Sequence, residues 1–433
     1  MKASQRTLAE WLTLQERVHA RAIDLGLGRV GSVARTLAVQ RPAYRVITVG
    51  GTNGKGSTVA TLEAMLLALG LRVGALTSPH LLRYHERIHV EGREATDAQL
   101  IDAFERIEAA RGATTLTFFE YNTLAALLLF ADQRVDVAVL EVGLGGRLDA
   151  TNLVDADVAV LCSVGFDHRD WLGDTLDAIG AEKAGIFRQG RPAVLGTPQM
   201  PASVYAQIER LGAEAVVAER EFSWQIAADA QPPSWTYRGL QGAITGLPAP
   251  RLLGAVQYRN TATALAATQA LMRSAGSAWR CGPLTRESIT RALASVVVAG
   301  RFQVVPGPVE WILDVSHNEP AAQVLRANLA ARPVAGRTLA VCGILQDKDA
   351  GEIARVLGDC AQVWIACAVP GPRGSSAAEL ARRLAPHIRV TEQAASVAEG
   401  CERAAALARP GDRVLVFGSF STVTAALEWL HLS

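Results

Sequence analysis

The sequence predicts an α/β protein: a larger N-terminal P-loop domain with a parallel, doubly wound sheet, followed by a smaller C-terminal Rossmann-like α/β domain. Three observations predict it. Short apolar runs alternate with helical patterns, which implies parallel strands joined by helical crossovers. The run Val46-Ile47-Thr48-Val49 breaks into Gly50-Gly51-Thr52-Asn53-Gly54-Lys55-Gly56-Ser57 and then an Ala/Leu-rich helix, the strand–loop–helix order of an anion site. After the proline- and glycine-bearing stretch Val298 to Pro308, read as the link, the alternation restarts. The division is therefore residues 1–298 and 299–433.

Taken in order, residues 4–20 have an amphipathic helical pattern, and Ile23 to Val30 is a glycine-punctuated loop. A short helix around Val30 to Val39 leads into the strand of the glycine loop. Leu71 to Thr77 is the next strand and ends in Ser78-Pro79-His80; Arg83 to Val90 is dense in polar groups around a small apolar alternation. Residues 97–111 are helical, and Phe118 to Ala131 form a strongly apolar helix opened by Glu120 and Asn122. Val135 to Gly143 and Val158 to Val164 read as buried strands, the first ending in Glu141, the second near Asp167-His168. Phe222 to Leu253 shifts to Trp, Pro, Gly and Gln, as short antiparallel strands or loops would, and Tyr258 to Arg273 resumes as a helix. Beyond the link, Trp311 to Val315, Leu339 to Gly343, Val363 to Ala366 and Val414 to Gly418 are strands separated by helices.

Composition narrows the function. The 433 residues carry 43 Lys and Arg against 42 Asp and Glu, so no bulk field draws nucleic acid or membranes, and anions must be held locally. No apolar run reaches the roughly eighteen residues of a membrane span, and the N-terminus lacks a signal-peptide core. The six cysteines are scattered without a C-x-x-C pair, which suits reduced core thiols in a cytoplasmic protein.

Chemistry gathers at strand ends, where ligands of doubly wound sheets bind. Lys55 is placed to reach terminal phosphates and Ser57 to ligate magnesium. The loop departs from a strict Walker A: Val49 stands where its first glycine belongs, and Gly56 intervenes between Lys55 and Ser57. Glu141 ends an apolar strand, where an unpaired carboxylate is costly and a cation would offset the cost. The alternative for Glu141 is a carboxylate facing water. Gly143-Leu144-Gly145-Gly146-Arg147-Leu148-Asp149 adds a second glycine loop. His168 follows a strand and is as readily a surface histidine as a ligand; Lys183, within a helical pattern, reads locally as a solvated lysine. Asp314 and His317 end the first strand of the second domain.

Together these segments resemble the folylpolyglutamate synthase and dihydrofolate synthase family, within the ATP-dependent ligases that include the muramyl peptide ligases. Gly51 to Ser57, Thr77 to His80, Glu86-Arg87-Ile88, Phe119-Glu120-Tyr121 and Glu141 to Asn152 carry the resemblance, with Asp167-His168, Glu182 to Ile186, Gly300-Arg301-Phe302 and Asp314 to Asn318. They are collinear and span most of the chain. The resemblance implies that Thr52, Asn53, Gly54, Lys55, Gly56 and Ser57 hold the ATP phosphates, and that Asn260, Arg301, Asp314 and His317 contact the nucleotide. It implies two magnesium sites from Ser57, Ser78, Glu141, His168 and Lys183, with Lys183 carbamylated. The catalytic set it implies is Lys55, Glu141, His168 and Lys183. Asp24, Leu25, Gly26, Arg83, Phe119, Glu120, Tyr121, Asn122, Arg147, Leu148 and Asp149 would bind the pterin substrate. Two departures stand out: Ser316 replaces an alanine and Glu319 precedes Pro320 in the Asp314 segment, and Ala255 to Tyr258 lacks a histidine many relatives have.

The expected reaction joins L-glutamate to dihydropteroate or folates through an acyl phosphate, in a monomer without nucleic-acid or membrane partners. Competing readings are a muramyl-peptide-type ligase, a P-loop kinase or NTPase, and a non-catalytic nucleotide-binding module. The inserted Gly56 speaks against the kinase, and the set Glu141, His168 and Lys183 against the module.

Overall fold

The computed structural model describes residues 6–227, 233–276 and 281–432. Residues 4–5 of the expected first helix, and 228–232 of the expected Trp- and Pro-rich segment, lie outside the described residues. The chain forms two compact units. The first comprises residues up to Val164, Arg169–Arg251 and Tyr258–Val296; the second comprises Gly165–His168, Leu252–Gln257 and the residues from Val297 onward.

The first unit is built on an eight-stranded sheet. Its strands are β1 (Arg45–Gly50), β2 (Val73–Leu76), β3 (Ile88–Val90), β4 (Arg93–Glu94), β5 (Val137–Glu141), β6 (Val158–Leu161), β7 (Pro192–Leu195) and β8 (Glu214–Val217). Their order is β4-β3-β2-β5-β1-β6-β7-β8. From β2 to β8 every pairing is parallel, while β3 and β4 fold back antiparallel at one edge. Strand β1 sits between β5 and β6, with Val49 opposite Glu141 and Gly50 opposite Leu161. The loop after β1 therefore opens where the strand order reverses, the usual ligand position in such sheets.

Local chemistry sets the helices. Leu8–Val18 starts on a capping box in which Thr7 N–H donates to Glu10 Oε2 at 2.8 Å and Glu10 N–H to Thr7 Oγ1 at 3.3 Å. Phe118–Asp132 starts on another, Thr117 with Glu120, and is buried along most of its length, as a helix apolar on all sides must be. It packs on β2 so closely that a Cβ at Gly74 would lie 2.4 Å from the Phe130 ring. These residues join Trp11, Val33, Phe104 and Ile107 in one core. A second core, with Leu161, Ile186, Leu195, Val204 and Ile208, lies around β6 and β7.

The Trp- and Pro-rich segment forms an antiparallel sheet of β9 (Ser223–Ala227), β10 (Ser234–Gly239) and β11 (Gly242–Pro248). Tyr237 Oη anchors it to the helix Val256–Ala275 by donating to Gln269 Oε1 at 2.9 Å.

The second unit carries six strands in the order β12-β13-β17-β14-β15-β16. They are β12 (Gln303–Val305), β13 (Glu310–Asp314), β14 (Thr338–Cys342), β15 (Val363–Cys367), β16 (Glu392–Ala394) and β17 (Arg413–Phe417). All are parallel except β12, which pairs antiparallel with β13. The stretch read as a link thus holds an edge strand: Val304 and Val305 pair with Ile312 and Trp311. All six cysteines are free thiols, and burial pushes Cys342 up to about 12. Among the described residues no helix is long and apolar enough to cross a membrane.

Candidate functional site

The glycine loop is shaped by close backbone approach. Gly51 and Gly54 have φ of +146° and +92°, conformations that side chains resist. A Cβ at Gly51 would lie 3.2 Å from Ser163 N, and one at Gly54 would lie 3.0 Å from Asn260 Oδ1. Thr52 N–H donates to Ser163 O at 2.8 Å, and Asn53 N–H to Ser163 Oγ at 3.1 Å, so the loop is fastened to the end of β6. Lys55 opens the helix Lys55–Ala68, and its Nζ donates to Gly51 O at 2.9 Å and Thr52 O at 3.3 Å. The ammonium thus lies over its own loop carbonyls, beside helix-terminal amides that favour an anion. Ser57 is buried in the first turn despite the inserted Gly56. Asn260, expected to meet the nucleotide, sits against Gly54 and is buried.

Strand register brings Ser78 and Glu141 together. Leu76 pairs with Leu140, and Ser78 N–H donates to Glu141 Oε2 at 3.2 Å. Glu141 is only 3% exposed, so it does not face bulk water. Lys183 is 5% exposed rather than solvated. Its helix, Leu176–Ala184, ends against the second glycine loop: Arg147 N–H donates to Glu182 O at 2.8 Å, and a Cβ at Gly146 would lie 2.8 Å from Lys183 O. His168 has a φ of +52° and belongs to the second unit, whereas Ser78, Glu141 and Lys183 belong to the first.

Among the described residues no three His, Cys, Asp or Glu side chains gather as a metal cage. The donors at the β1, β2 and β5 ends are instead one buried carboxylate and two hydroxyls beside a phosphate-type loop. That set fits magnesium, which keeps several waters and takes one or two carboxylates plus substrate phosphates.

Arg87 completes this edge, although the sequence reading assigned it no role. It is buried, its Nε donates to His80 Nδ1 at 2.6 Å, and its guanidinium lies 5.2 Å from the Phe118 ring centre. Burial, then the Arg87 charge, lowers His80 to about 4, which keeps it a neutral acceptor. Glu86 organises the preceding turn by accepting the N–H groups of Leu81, Leu82 and Arg83, each at 2.7 Å.

Three of the expected substrate segments meet. Gly26 N–H donates to Leu148 O at 3.2 Å, joining the Asp24-Leu25-Gly26 turn to Arg147-Leu148-Asp149. Gly143 passes the Phe119 ring so closely that a Cβ would lie 2.7 Å from it. Arg29, absent from the sequence reading, donates to Asp24 O at 2.7 Å and to Glu120 Oε1 at 3.2 Å. Asp149 is buried and accepts from Leu144 N–H at 2.9 Å; burial pushes its carboxyl up, against hydrogen bonds led by that from Thr151. Asn122 Oδ1 accepts from Tyr84 Oη at 3.0 Å. Tyr121 turns into the core, where its hydroxyl donates to Glu108 at 2.8 Å. The Arg83 side chain is 67% exposed and pairs with Glu94, and Arg147, 55% exposed, pairs with Glu182.

In the second unit, Asp314 ends β13 and is buried. Its carboxylate accepts from Phe302 N–H and Ser316 N–H, both at 2.8 Å, and from the Ser316 hydroxyl. The serine that departs from the family pattern is therefore a partner of Asp314. Burial pushes Asp314 up, against the Ser316 hydrogen bond and the Arg301 charge. Arg301 lies 5.1 Å from the Phe420 ring centre. Asn318 Oδ1 caps the helix Glu319–Ala330 by accepting from Ala321 N–H at 3.0 Å, so Glu319 sits in an ordinary first turn. His317 Nδ1 donates to Val315 O at 2.7 Å, which turns Nε2 toward Asp167 Oδ2 at 3.5 Å. Asp167 is the hub: Lys348 Nζ lies 2.5 Å from Oδ1, and Asn318 Nδ2 donates to Oδ2 at 3.0 Å. Burial opposes its charge, but the His317 hydrogen bond and the charges of His168, Lys348 and His317 hold it well below the usual carboxylate range.

Known proteins share this architecture. Residues 49–196 match the Mur ligase middle domain family model, and residues 300–420 the model for the Mur ligase, glutamate ligase domain. The dihydrofolate synthase/folylpolyglutamate synthase of Escherichia coli (strain K12) is 43% identical, over 97% of this chain and 95% of that protein. The solved structure of E. coli FolC in complex with DHPP and ADP matches with a TM-score of 0.91 and 42% identity, covering 100% of this chain and 99% of that one. A bifunctional folylpolyglutamate synthase/dihydrofolate synthase structure with Mn, AMPPNP and L-glutamate bound matches with a TM-score of 0.88 and 42% identity, covering 98% of each chain.

Proposed function

The chain belongs to the dihydrofolate synthase/folylpolyglutamate synthase family of Mur-type ligases, and from that premise we propose that it joins L-glutamate to dihydropteroate, and further glutamates to folates, at the cost of ATP. The observation that carries the reading is the shared strand edge, where the Lys55–Ser57 helix entrance lies beside the Ser78–Glu141 contact. A phosphate loop next to a buried carboxylate suits magnesium-assisted phosphoryl transfer from ATP, the step that activates a carboxylate for amide formation.

A carboxylate resists amines because its leaving group would be oxide. Its oxygen attacks the γ-phosphorus of ATP, the bond to ADP breaks, and an acyl phosphate forms. The neutral glutamate nitrogen then adds to the acyl carbon and loses a proton, phosphate leaves, and the amide remains. This chain contributes placement and charge neutralisation. Thr52 to Ser57 hold the phosphates through amides not already spent on Ser163, and Lys55 exchanges its loop carbonyls for phosphate oxygens. Asn260, Arg301, Asp314 and His317 hold the nucleotide. Asp24 to Gly26, Arg83, Phe119 to Asn122 and Arg147 to Asp149 hold the pterin substrate. Ser57, Ser78, Glu141, His168 and Lys183, the last as its carbamate, would hold two magnesium ions, which would supply Lewis-acid stabilisation of phosphoryl charge.

In this reading residues 1–298 form the ATP-binding domain and 299–433 the glutamate ligase domain of a cytoplasmic monomer; the free thiols suit a reducing compartment. The deciding assay follows phosphate release and product mass. Release that needs ATP, dihydropteroate and glutamate together, with a product heavier by one glutamyl residue, supports the proposal. Release with a UDP-linked muramyl acceptor instead overturns it.

A further inference from the structure

Arg29 is the second residue of the helix Gly28–Thr36, and its guanidinium is divided between two carboxylates. Nη1 pairs with Asp24 Oδ2 at 2.7 Å; Nη2 donates to Asp24 O at 2.7 Å and to Glu120 Oε1 at 3.2 Å. Both acceptors have second anchors. Asp24 Oδ2 also meets His19 Nε2 at 3.0 Å, and His19 Nδ1 meets Thr115 Oγ1 at 2.8 Å. Glu120 Oε2 accepts from Thr117 N–H at 2.7 Å, the cap of the helix Phe118–Asp132. Glu120 is almost sealed from solvent, its side chain 4% exposed.

We propose that Arg29 is a positioning residue that locks the Asp24–Gly26 turn onto the start of the Phe118–Asp132 helix and so fixes the site for the pterin end of the substrate. The assignment of that end to this region rests on the function proposed above. The argument for the lock is geometric. The turn has one backbone tie to the third segment, Gly26 N–H to Leu148 O at 3.2 Å. Toward the Phe118–Asp132 helix it is tied by His19, which reaches Thr115 ahead of the helix, and by Arg29, which reaches Glu120 within the Phe119–Asn122 segment. Without the guanidinium, Asp24 and Glu120 lose the cation they share, and the buried Glu120 carboxylate loses its charge partner, which loosens the turn. The role needs a planar fork, since two nitrogens on one rigid group reach three oxygens at once; a lysine ammonium is a point charge on a flexible stem. A flat heterocycle is read along its edge by hydrogen-bond partners in fixed places, so a turn displaced by about 1 Å costs up to about a hundredfold in its use.

The test uses the full-length protein and the variants Arg29→Ala and Arg29→Lys, with two readouts. In steady-state kinetics, Arg29→Ala raises the KM for dihydropteroate about tenfold to a hundredfold while the KM for ATP stays within about twofold. Arg29→Lys falls between the two. In hydrogen exchange, Arg29→Ala frees the amides of residues 24–27 and leaves those of residues 51–57 unchanged. If Arg29→Ala does not fold, Arg29→Lys supplies both measurements with smaller changes of the same sign. An unchanged dihydropteroate KM, or an equal rise in the KM values of all substrates, overturns the proposal. Should the wild type show no dihydropteroate-dependent turnover, the substrate assignment is what fails, and exchange at residues 24–27 then decides the lock by itself.

Discussion

Lys348 and Asp167 form an ion pair of 2.5 Å in which the side chains are 5% and 8% exposed. Removing one partner of such a pair strands the other charge and costs up to about 3–5 kcal/mol. Lys348→Met is therefore expected to destabilise the protein more than the double variant Lys348→Met/Asp167→Asn, in which neither charge remains. Urea unfolding of the single and double variants measures the coupling, and a double variant no more stable than Lys348→Met refutes it.

Lys55 Nζ donates to Gly51 O and Thr52 O, two carbonyls that carry no net charge when the ammonium is removed. Lys55→Ala is expected to abolish ATP-dependent phosphate release while circular dichroism and the thermal midpoint stay close to wild type. Full turnover in this variant would sink the phosphate-loop assignment.

Glu141 supplies the buried carboxylate at the Ser78 contact. Chelation by EDTA is expected to stop phosphate release, and added magnesium to restore it. Glu141→Gln keeps the shape and removes the charge, so half-maximal activity should need about tenfold or more magnesium. Equal magnesium curves for variant and wild type would remove Glu141 from the ion's coordination.

Asp412 accepts from Arg337 N–H at 2.7 Å, Arg409 N–H at 3.0 Å and the Arg337 guanidinium at 2.9 Å. The Arg337 backbone hydrogen bond foremost holds its carboxyl below the ordinary value. A carboxyl lowered on folding adds stability that is complete above its unfolded value, about 3.9, and is lost as pH falls through the lowered one. Asp412→Asn should thus lower the thermal midpoint at pH 7, with the gap to wild type closing below about pH 4. A gap that stays constant into acid would contradict the ionic origin of the effect.

What could be read from sequence was what lies contiguous along it. Val46 to Ser57 states strand, loop and helix without interruption, and Val137 to Glu141 states a buried strand with its carboxylate. The four-residue strands β7 and β8 drew no assignment, and β12 hid inside a stretch whose prolines and glycines suggested a link. Glu120 reads as an opening residue of its helix and as a substrate residue, and Thr117-Phe118-Phe119-Glu120 also spells the capping box observed. Arg29, Arg87 and Lys348 were out of reach for another reason. Each acts on a residue placed beside it by the fold, as Arg29 on Glu120 and Lys348 on Asp167, and no local pattern announces such a partner.

The sheet order has a consequence for biosynthesis. Strands β1 and β2 are made first, but they never pair with each other; β5 lies between them. A nascent chain that has passed Val90 can pair β2 with β3, but the strand that joins β2 to β1 emerges only with Val137 to Glu141. The loop amides of Thr52 and Asn53 wait longer still, for Ser163. Insertion of β1 into the sheet is therefore deferred until Glu141 has left the ribosome, and premature β1–β2 pairing is the error it must avoid.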